Sequence, residues 1–166
     1  MSKKELVFNA RLCVGCHACE IACMDQNDTD ICALEQPFRR VMSCESTADD
    51  EAVVTHLSAS CRHCKDAHCM EACPAGAIKR DLATDAVYVR QHLCIGCRSC
   101  SMACPFGVPR FGGKGVMEKC DGCRIRVRYG YEPACSRICP SGALSFANLD
   151  ELQRNRELEA AKNLTK

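Results

Sequence analysis

Residues 93–105 decide the fold, and they read Leu-Cys-Ile-Gly-Cys-Arg-Ser-Cys-Ser-Met-Ala-Cys-Pro. Two residues separate Cys94 from Cys97 and Cys97 from Cys100. Three residues separate Cys100 from Cys104, and a proline follows Cys104. In this arrangement the first three thiolates surround one iron–sulfur cluster, whereas the fourth is directed toward a second cluster. The stretch is therefore half of a pair, and it predicts further cysteine sets elsewhere in the chain.

Three further cysteine sets are present, and together with the stretch above they use sixteen of the 18 cysteines. In chain order, the first set is Cys13, Cys16, Cys19 and Cys23, the second is Cys61, Cys64, Cys69 and Cys73, the third is the stretch above, and the fourth is Cys120, Cys123, Cys135 and Cys139. The second, third and fourth sets end in Cys-Pro, whereas Met24 follows the first set.

The sets repeat in alternation. Leu-Cys-Val-Gly-Cys from position 12 matches Leu-Cys-Ile-Gly-Cys from position 93, and Ala-Gly-Ala-Ile from position 75 matches Ser-Gly-Ala-Leu from position 141. Set one thus resembles set three and set two resembles set four, which indicates an internal duplication into two tandem halves.

The composition suits a small chain whose core is supplied largely by its cofactors. Its 166 residues include no Trp and only 5% aromatics, so metal clusters would take the place of a larger apolar core. The formal net charge of +1 does not indicate a protein that binds nucleic acid through a basic surface. Each oxidised cluster with four thiolates carries about −2, so the loaded protein would be acidic.

Local patterns predict short strands and one terminal helix. We expect a strand at residues 5–9, a hairpin joining 75–80 to 86–90 through a turn at 81–85, and two strands at 38–43 and 52–57 in the long connection 24–60. The glycine-rich residues 106–115 lack the strand-to-helix context of a phosphate loop and are predicted to be a flexible connection. Asn148 and Glu151 form a capping pair for a helix from Leu149 to about Asn163.

The remaining cysteines and the histidines receive no ligand role. Cys32 and Cys44 lie outside any cluster spacing and are predicted to be buried, inert thiols. Each set already has four cysteines, so the five histidines are expected at the surface or around the clusters. They are His17, His56, His63, His68 and His92. We find no nucleophile–base or acid–base constellation, so we expect no catalysis by the chain itself.

The sequence also carries an expectation about location. No charged-then-apolar leader, no twin arginine near Met1 and no apolar run of transmembrane length is present. We therefore expect a soluble, cytoplasmic protein without direct membrane insertion. Cysteines kept reduced in that compartment agree with this expectation.

Zinc is the competing metal, because Cys-x-x-Cys pairs also form tetrahedral zinc sites. Zinc ribbons use isolated pairs, however, whereas the run Cys-x-x-Cys-x-x-Cys-x-x-x-Cys is the bacterial ferredoxin arrangement. The spacing therefore favours iron–sulfur clusters, and a zinc-stabilised binding module remains the alternative.

The four sets and their order resemble the four-cluster ferredoxin-like electron-transfer subunits of the molybdopterin oxidoreductase superfamily, over residues 5–147. The resemblance implies an α+β fold of tandem bacterial-ferredoxin-like modules around four [4Fe-4S] clusters. One module comprises residues 1–60 and 106–147, an inserted module comprises 61–105, and a helix or tail occupies 148–166.

The resemblance also implies that the fourth ligands are exchanged between sets. The implied ligand sets are Cys13, Cys16, Cys19 and Cys139 for cluster 1; Cys61, Cys64, Cys69 and Cys104 for cluster 2; Cys94, Cys97, Cys100 and Cys73 for cluster 3; and Cys120, Cys123, Cys135 and Cys23 for cluster 4.

The implied function is the relay of single electrons by a subunit that is not itself an enzyme. Its partners would be a molybdopterin- or tungstopterin-dependent catalytic subunit, with formate dehydrogenase favoured, and a hydrogenase or other iron–sulfur subunit. Self-assembly through residues 149–164 is a further hypothesis. The alternative is a free polyferredoxin that shuttles between several enzymes.

Overall fold

The computed structural model describes residues 4–29, 35–48 and 51–164 of the chain. Its strands are β1 (Lys4–Phe8), β2 (Arg40–Ala48), β3 (Glu51–Ala59), β4 (Ile78–Arg80), β5 (Val87–Val89), β6 (Arg110–Phe111), β7 (Met117–Glu118) and β8 (Leu144–Asn148). Its helices are α1 (Ala18–Gln26), α2 (His68–Glu71), α3 (Ser99–Ala103), α4 (Arg124–Arg128), α5 (Ala134–Arg137) and α6 (Leu149–Leu164). The predicted α+β chain of short helices and antiparallel hairpins is confirmed.

The strands form four separate antiparallel pairs, which are β1 with β8, β2 with β3, β4 with β5, and β6 with β7. The β1–β8 pair joins the two ends of the cysteine-bearing chain, because Lys4 lies opposite Asn148 and Phe8 opposite Leu144. Set one, which follows β1, is thereby brought next to set four, which precedes β8.

The two halves share their local backbone conformation. Gly15 and Gly96 have φ angles of 68° and 69°, and His17 and Arg98, which precede α1 and α3, have φ angles of 60° and 65°. This left-handed region is freely accessible to glycine and costly for other residues. The repeated conformation shows that the duplication found in the sequence extends to the cysteine loops.

Two separate apolar clusters form the core. One contains Ala67, Ile78, Val87, Cys100 and Met117. The other contains Cys19, Cys135 and Leu144, with Leu6, Phe8, Val41 and Cys139 packed against it. The first gathers residues of sets two and three and the second residues of sets one and four. Met117 packs with the first cluster although the sequence analysis assigned residues 106–147 to the other module.

The β2–β3 hairpin extends the predicted strands 38–43 and 52–57 to nine residues each, paired from Arg40 opposite Ala59 to Ala48 opposite Glu51. Cys44 on β2 is exposed, so the prediction that it is buried is wrong. Among the strands that the structure describes, none pairs with this hairpin from outside, and the residues around Cys44 on β2 are exposed as well. Cys32, the other extra cysteine, lies outside the described residues.

Residues 106–115, predicted as a flexible connection, contribute to a short hairpin instead. β6 and β7 pair through Arg110 opposite Glu118 and Phe111 opposite Met117, and the Gly115 amide donates to the Gly112 carbonyl at 2.8 Å. Strands of two residues carry no detectable alternation, so the sequence pattern could not reveal them.

The terminal helix α6 begins where the sequence analysis placed it. The Asp150 amide donates to the Asn148 side-chain oxygen at 2.9 Å, which satisfies one of the free donors at the helix start. In the part of the chain that the structure describes, no helix is long and apolar enough to span a membrane.

Candidate metal centres

Four predicted ligands surround a cavity between β4, β5 and α3. Cys73, Cys94, Cys97 and Cys100 line it, and its free space is about 310 Å³ when the part open to solvent is included. Side chains such as Ile78, Val89 and Met117 complete the wall. Three cysteines of set three and the last cysteine of set two therefore face one space.

A second cavity repeats this arrangement between set one and set four. Cys13, Cys16, Cys19 and Cys139 line it, with a free space of about 300 Å³ counted in the same way. Phe8, Val41 and Leu144 contribute apolar walls. Three cysteines of set one and the last cysteine of set four therefore share the second space.

The second cysteine set is close to Cys104. Burial raises the pKa of the Cys69 thiol, and negative charge at Cys61, Cys104 and Cys64 raises it further, although Lys119 acts in the opposite direction. Such repulsion requires proximity, because charge interactions weaken with distance. These four cysteines are the set that the family resemblance implies for cluster 2.

The fourth cysteine set is close to Cys23. Burial raises the pKa of the Cys123 thiol to about 11, and charge at Cys135 and Cys23 adds to the effect. Burial also raises the pKa of Cys120, with additional repulsion from Cys61 and Cys23. Cys120 therefore lies near Cys23 of set one and near the first cysteine of set two.

Backbone amides are directed at the cysteine sulfurs. The donor and acceptor pairs are Ala77 to Cys73 and Met117 to Cys94 at 3.3 Å, Gly122 to Cys120 and Leu144 to Cys139 at 3.4 Å, and His63 to Cys61 at 3.5 Å. Hydrogen bonds to ligating sulfur stabilise its negative charge and tune the potential of a bound cluster.

A buried cation stands next to the first set. Arg39 is 3% exposed and donates to the Ser58 carbonyl at 3.2 Å and the Ser60 hydroxyl at 2.6 Å. Its Nε has no hydrogen-bond partner among the described residues, and its charge lowers the pKa of Cys19 and Cys23, which burial raises. An anionic cluster would supply a counter-charge for Arg39.

The residues present therefore fit iron–sulfur clusters. Thiolates are the ligands of these clusters, and buried thiolates this close together need positive charge between them. Among the described residues, no three His, Cys, Asp or Glu side chains converge as the ligands of a single metal ion do. Ligands of a four-iron cube stand further apart, because each thiolate binds a different iron.

The histidines take different positions around the sets. His17 and His68 are exposed and pair with Glu20 at 2.9 Å and Glu71 at 3.4 Å, each three residues further along the chain. His56 contacts the Ser43 hydroxyl at 2.9 Å. That the histidines are not ligands stays a prediction.

Sequence reasoning missed the contacts that connect the two halves. Asp81 in the β4–β5 turn accepts a hydrogen bond from Arg128 of α4 at 2.5 Å, and Arg124 lies over the Tyr88 ring at 4.3 Å. The Asp81 side chain is fully buried. The turn residues of 81–85 were visible in the sequence, but nothing local indicated a partner 47 residues away.

Comparison with known proteins assigns the class. Residues 52–149, more than half of the chain, match the family model described as a 4Fe-4S dicluster domain. The chain belongs to this family, which confirms its predicted place among iron–sulfur electron-transfer proteins.

Particular relatives cover nearly the whole chain. The B subunit of the anaerobic dimethyl sulfoxide reductase of Haemophilus influenzae is 37% identical over 97% of this chain and 82% of the relative. Thiosulfate reductase electron transfer subunit PhsB of Salmonella typhi is 37% identical, over 91% and 79%. The iron–sulfur subunit of the nitrate-inducible formate dehydrogenase of Escherichia coli is 32% identical, over 94% and 58%.

Proposed function

We propose that the chain relays single electrons through four [4Fe-4S] clusters between a molybdenum- or tungsten-dependent catalytic subunit and a second redox partner. The observation that carries the proposal is the pair of cavities, each lined by three cysteines of one set and the last cysteine of another. When bound, such clusters accept and release one electron at a time. The chain contributes the ligands, the amide donors and the apolar walls.

The ligand sets are proposed as the resemblance implies, with exchanged fourth ligands. The cavity linings support clusters 1 and 3, and the mutual effects of the thiol charges support clusters 2 and 4. The exchange places two clusters in each module. The packing of Met117 supports assigning the β6–β7 hairpin to the module of sets two and three.

The surface suggests where electrons pass to partners. Cys16 and Cys97 occupy equivalent positions in the two halves, and both are exposed. The Ser99 hydroxyl, 3.5 Å from the Cys97 sulfur, lowers the pKa of that thiol. Clusters 1 and 3 would thus lie nearest to the surface, and we propose that they form the two ends of the relay.

We propose two candidates for the catalytic partner. Relatives named as dimethyl sulfoxide and thiosulfate reductase subunits are 37% identical to this chain, and the chain covers 82% and 79% of their lengths, which favours a reductase of small oxidised substrates. The formate dehydrogenase relative is 32% identical over 94% of this chain and supports formate dehydrogenase as the second candidate. A hydrogenase as the other redox partner is part of that second proposal.

Anaerobic purification of the untagged chain from its source cells tests the proposal. We expect a large molybdenum- or tungsten-containing subunit to stay bound through gel filtration, and its substrate separates the two partner candidates. An iron-loaded monomer that reduces several added enzymes equally well would contradict a resident subunit and support the free polyferredoxin.

The terminal helix is the proposed site of contact between relay subunits. Leu149 and Leu158 on α6 are 49% and 60% exposed, although both are apolar. A chain ending at Asn148 should keep its iron and lose any self-association seen by sedimentation. Unchanged association would contradict this role of residues 149–164.

A further inference from the structure

A buried lysine lies between the second and fourth cysteine sets. Lys119 is 5% exposed, and its ammonium donates to the Cys120 carbonyl at 2.8 Å and to the Val87 carbonyl. The same nitrogen lies 3.6 Å from the Cys61 sulfur. Backbone carbonyls of both modules therefore hold Lys119 in place. Its positive charge lies next to Cys61, a predicted ligand of cluster 2.

A histidine of the second cysteine set contacts the fourth set. His63 lies in the second set, between Cys61 and Cys64, and its Nε2 is 3.7 Å from the sulfur of Cys120 in the fourth set. The Val87 amide donates to Nδ1 at 2.9 Å, so Nδ1 carries no hydrogen. The proton of the neutral ring is therefore on Nε2, which donates toward the Cys120 sulfur.

The Val87 amide holds the ring in its neutral form, because a hydrogen bond donated to Nδ1 leaves no room for a second proton there. The orientation of the ring is fixed by close packing as well, because a Cβ on Gly122 would lie 3.3 Å from Nε2 of His63 and 3.1 Å from the Ala86 side chain. His63 therefore presents one permanent donor to the fourth set.

We propose that Lys119 and His63 form a polar bridge across the module boundary that raises the reduction potentials of clusters 2 and 4. A positive charge, or an N–H donor, next to a ligating sulfur stabilises the reduced and more negative state of a cluster. The effect is large where solvent is excluded, because the local dielectric is low. Both side chains act as positioning and tuning residues, not as ligands. The inference rests on the proposed function insofar as it requires loaded clusters.

The test is a redox titration of the loaded full-length chain, followed by electron paramagnetic resonance under anaerobic conditions. Lys119→Met removes the charge and keeps the length of the side chain. His63→Asn removes the imidazole N–H and shortens the side chain, and asparagine tolerates the φ of 47° at this position. Lys114→Met is the matched control, because Lys114 is an exposed lysine in the β6–β7 turn.

Lys119→Met and His63→Asn should each lower the potential of at least one reduction step, with the one-electron equilibrium shifted about tenfold, or about 59 mV. Lys119→Arg should recover most of the potential, and Lys114→Met should leave all steps unchanged. Loaded variants with potentials like those of the control would overturn the proposal. Loss of iron in both variants would also overturn it, because the residues would then serve cluster assembly. Failure of the unaltered chain to hold iron would instead contradict the proposed function.

Discussion

The buried carboxylate of Asp81 accepts a 2.5 Å hydrogen bond from Arg128, and this contact ties the β4–β5 turn to helix α4 of the other half. The second carboxylate oxygen accepts the amides of Ala83 and Thr84 at 3.0 and 3.1 Å. Although burial acts to raise the pKa of Asp81, these amides and Arg128 hold it below its ordinary value of 3.8. The ionised form is thus stabilised by folding.

Asp81→Asn should weaken this contact between the two halves. Losing a hydrogen bond to a charged group costs roughly 1.5–3 kcal/mol, so the variant should lose its cluster absorbance at a lower urea concentration at neutral pH. Because the pKa is lowered in the folded state, the contribution of Asp81 is present above pH 3.8 and is lost as the pH falls through the lower folded value. The difference between the two proteins should therefore narrow only below about pH 4.

Asp28→Asn provides the control, since Asp28 is an exposed carboxyl. The same neutralisation there should leave the urea midpoint unchanged. Equal midpoints for the two variants would show that the Asp81–Arg128 contact does not stabilise the loaded chain.

Alanine at Gly15 or Gly96 should reduce cluster loading. Each glycine has a left-handed φ, which costs other residues about 1–2 kcal/mol. A Cβ would lie 2.6 Å from the His56 ring at Gly15 and 2.7 Å from the Gly115 carbonyl oxygen at Gly96. A side chain can move more readily than backbone, so Gly96→Ala should lose more iron than Gly15→Ala.

Gly113→Ala is the matched control, because nothing lies within 4 Å of a Cβ at Gly113. Iron per chain, measured after anaerobic gel filtration, should equal that of the unaltered protein for this variant. Gly96→Ala with the same iron content as Gly113→Ala would rule out the close approach as a requirement for loading.

The exposed thiol of Cys44 should react before any predicted ligand. Anaerobic treatment of the loaded chain with iodoacetamide should alkylate Cys44 without loss of visible absorbance, because the thiol is accessible and lies outside the cluster sets. Cys44→Ser should keep full iron and lose this modification in peptide mass spectra. Release of iron from Cys44→Ser would assign the residue a ligand role.

The sequence predicted those strands and helices that are determined by neighbouring residues. The strand β1, the β4–β5 hairpin and the start of α6 follow from alternation, turn residues and a capping side chain. The contacts of Asp81 with Arg128 and of His63 with Cys120 span 47 and 57 residues. Such pairs depend on how the two halves dock, and no sequence pattern in a single chain encodes that arrangement.

The exchange of fourth ligands can be tested by matching variants. If Cys104 belongs with the second set, Cys104→Ser should alter the same reduction step as Cys64→Ser. If Cys73 belongs with the third set, Cys73→Ser should match Cys97→Ser. Resonance spectra of the four variants provide the comparison. Agreement of Cys104→Ser with Cys97→Ser instead would show that each set keeps its own fourth cysteine.

The content of iron and acid-labile sulfide tests the central claim, which is that sixteen cysteines hold four cubes. Anaerobically purified chain should contain about sixteen iron atoms and about sixteen sulfides, since each cluster has four of each. Zinc bound at these cysteines without labile sulfide would contradict the account directly.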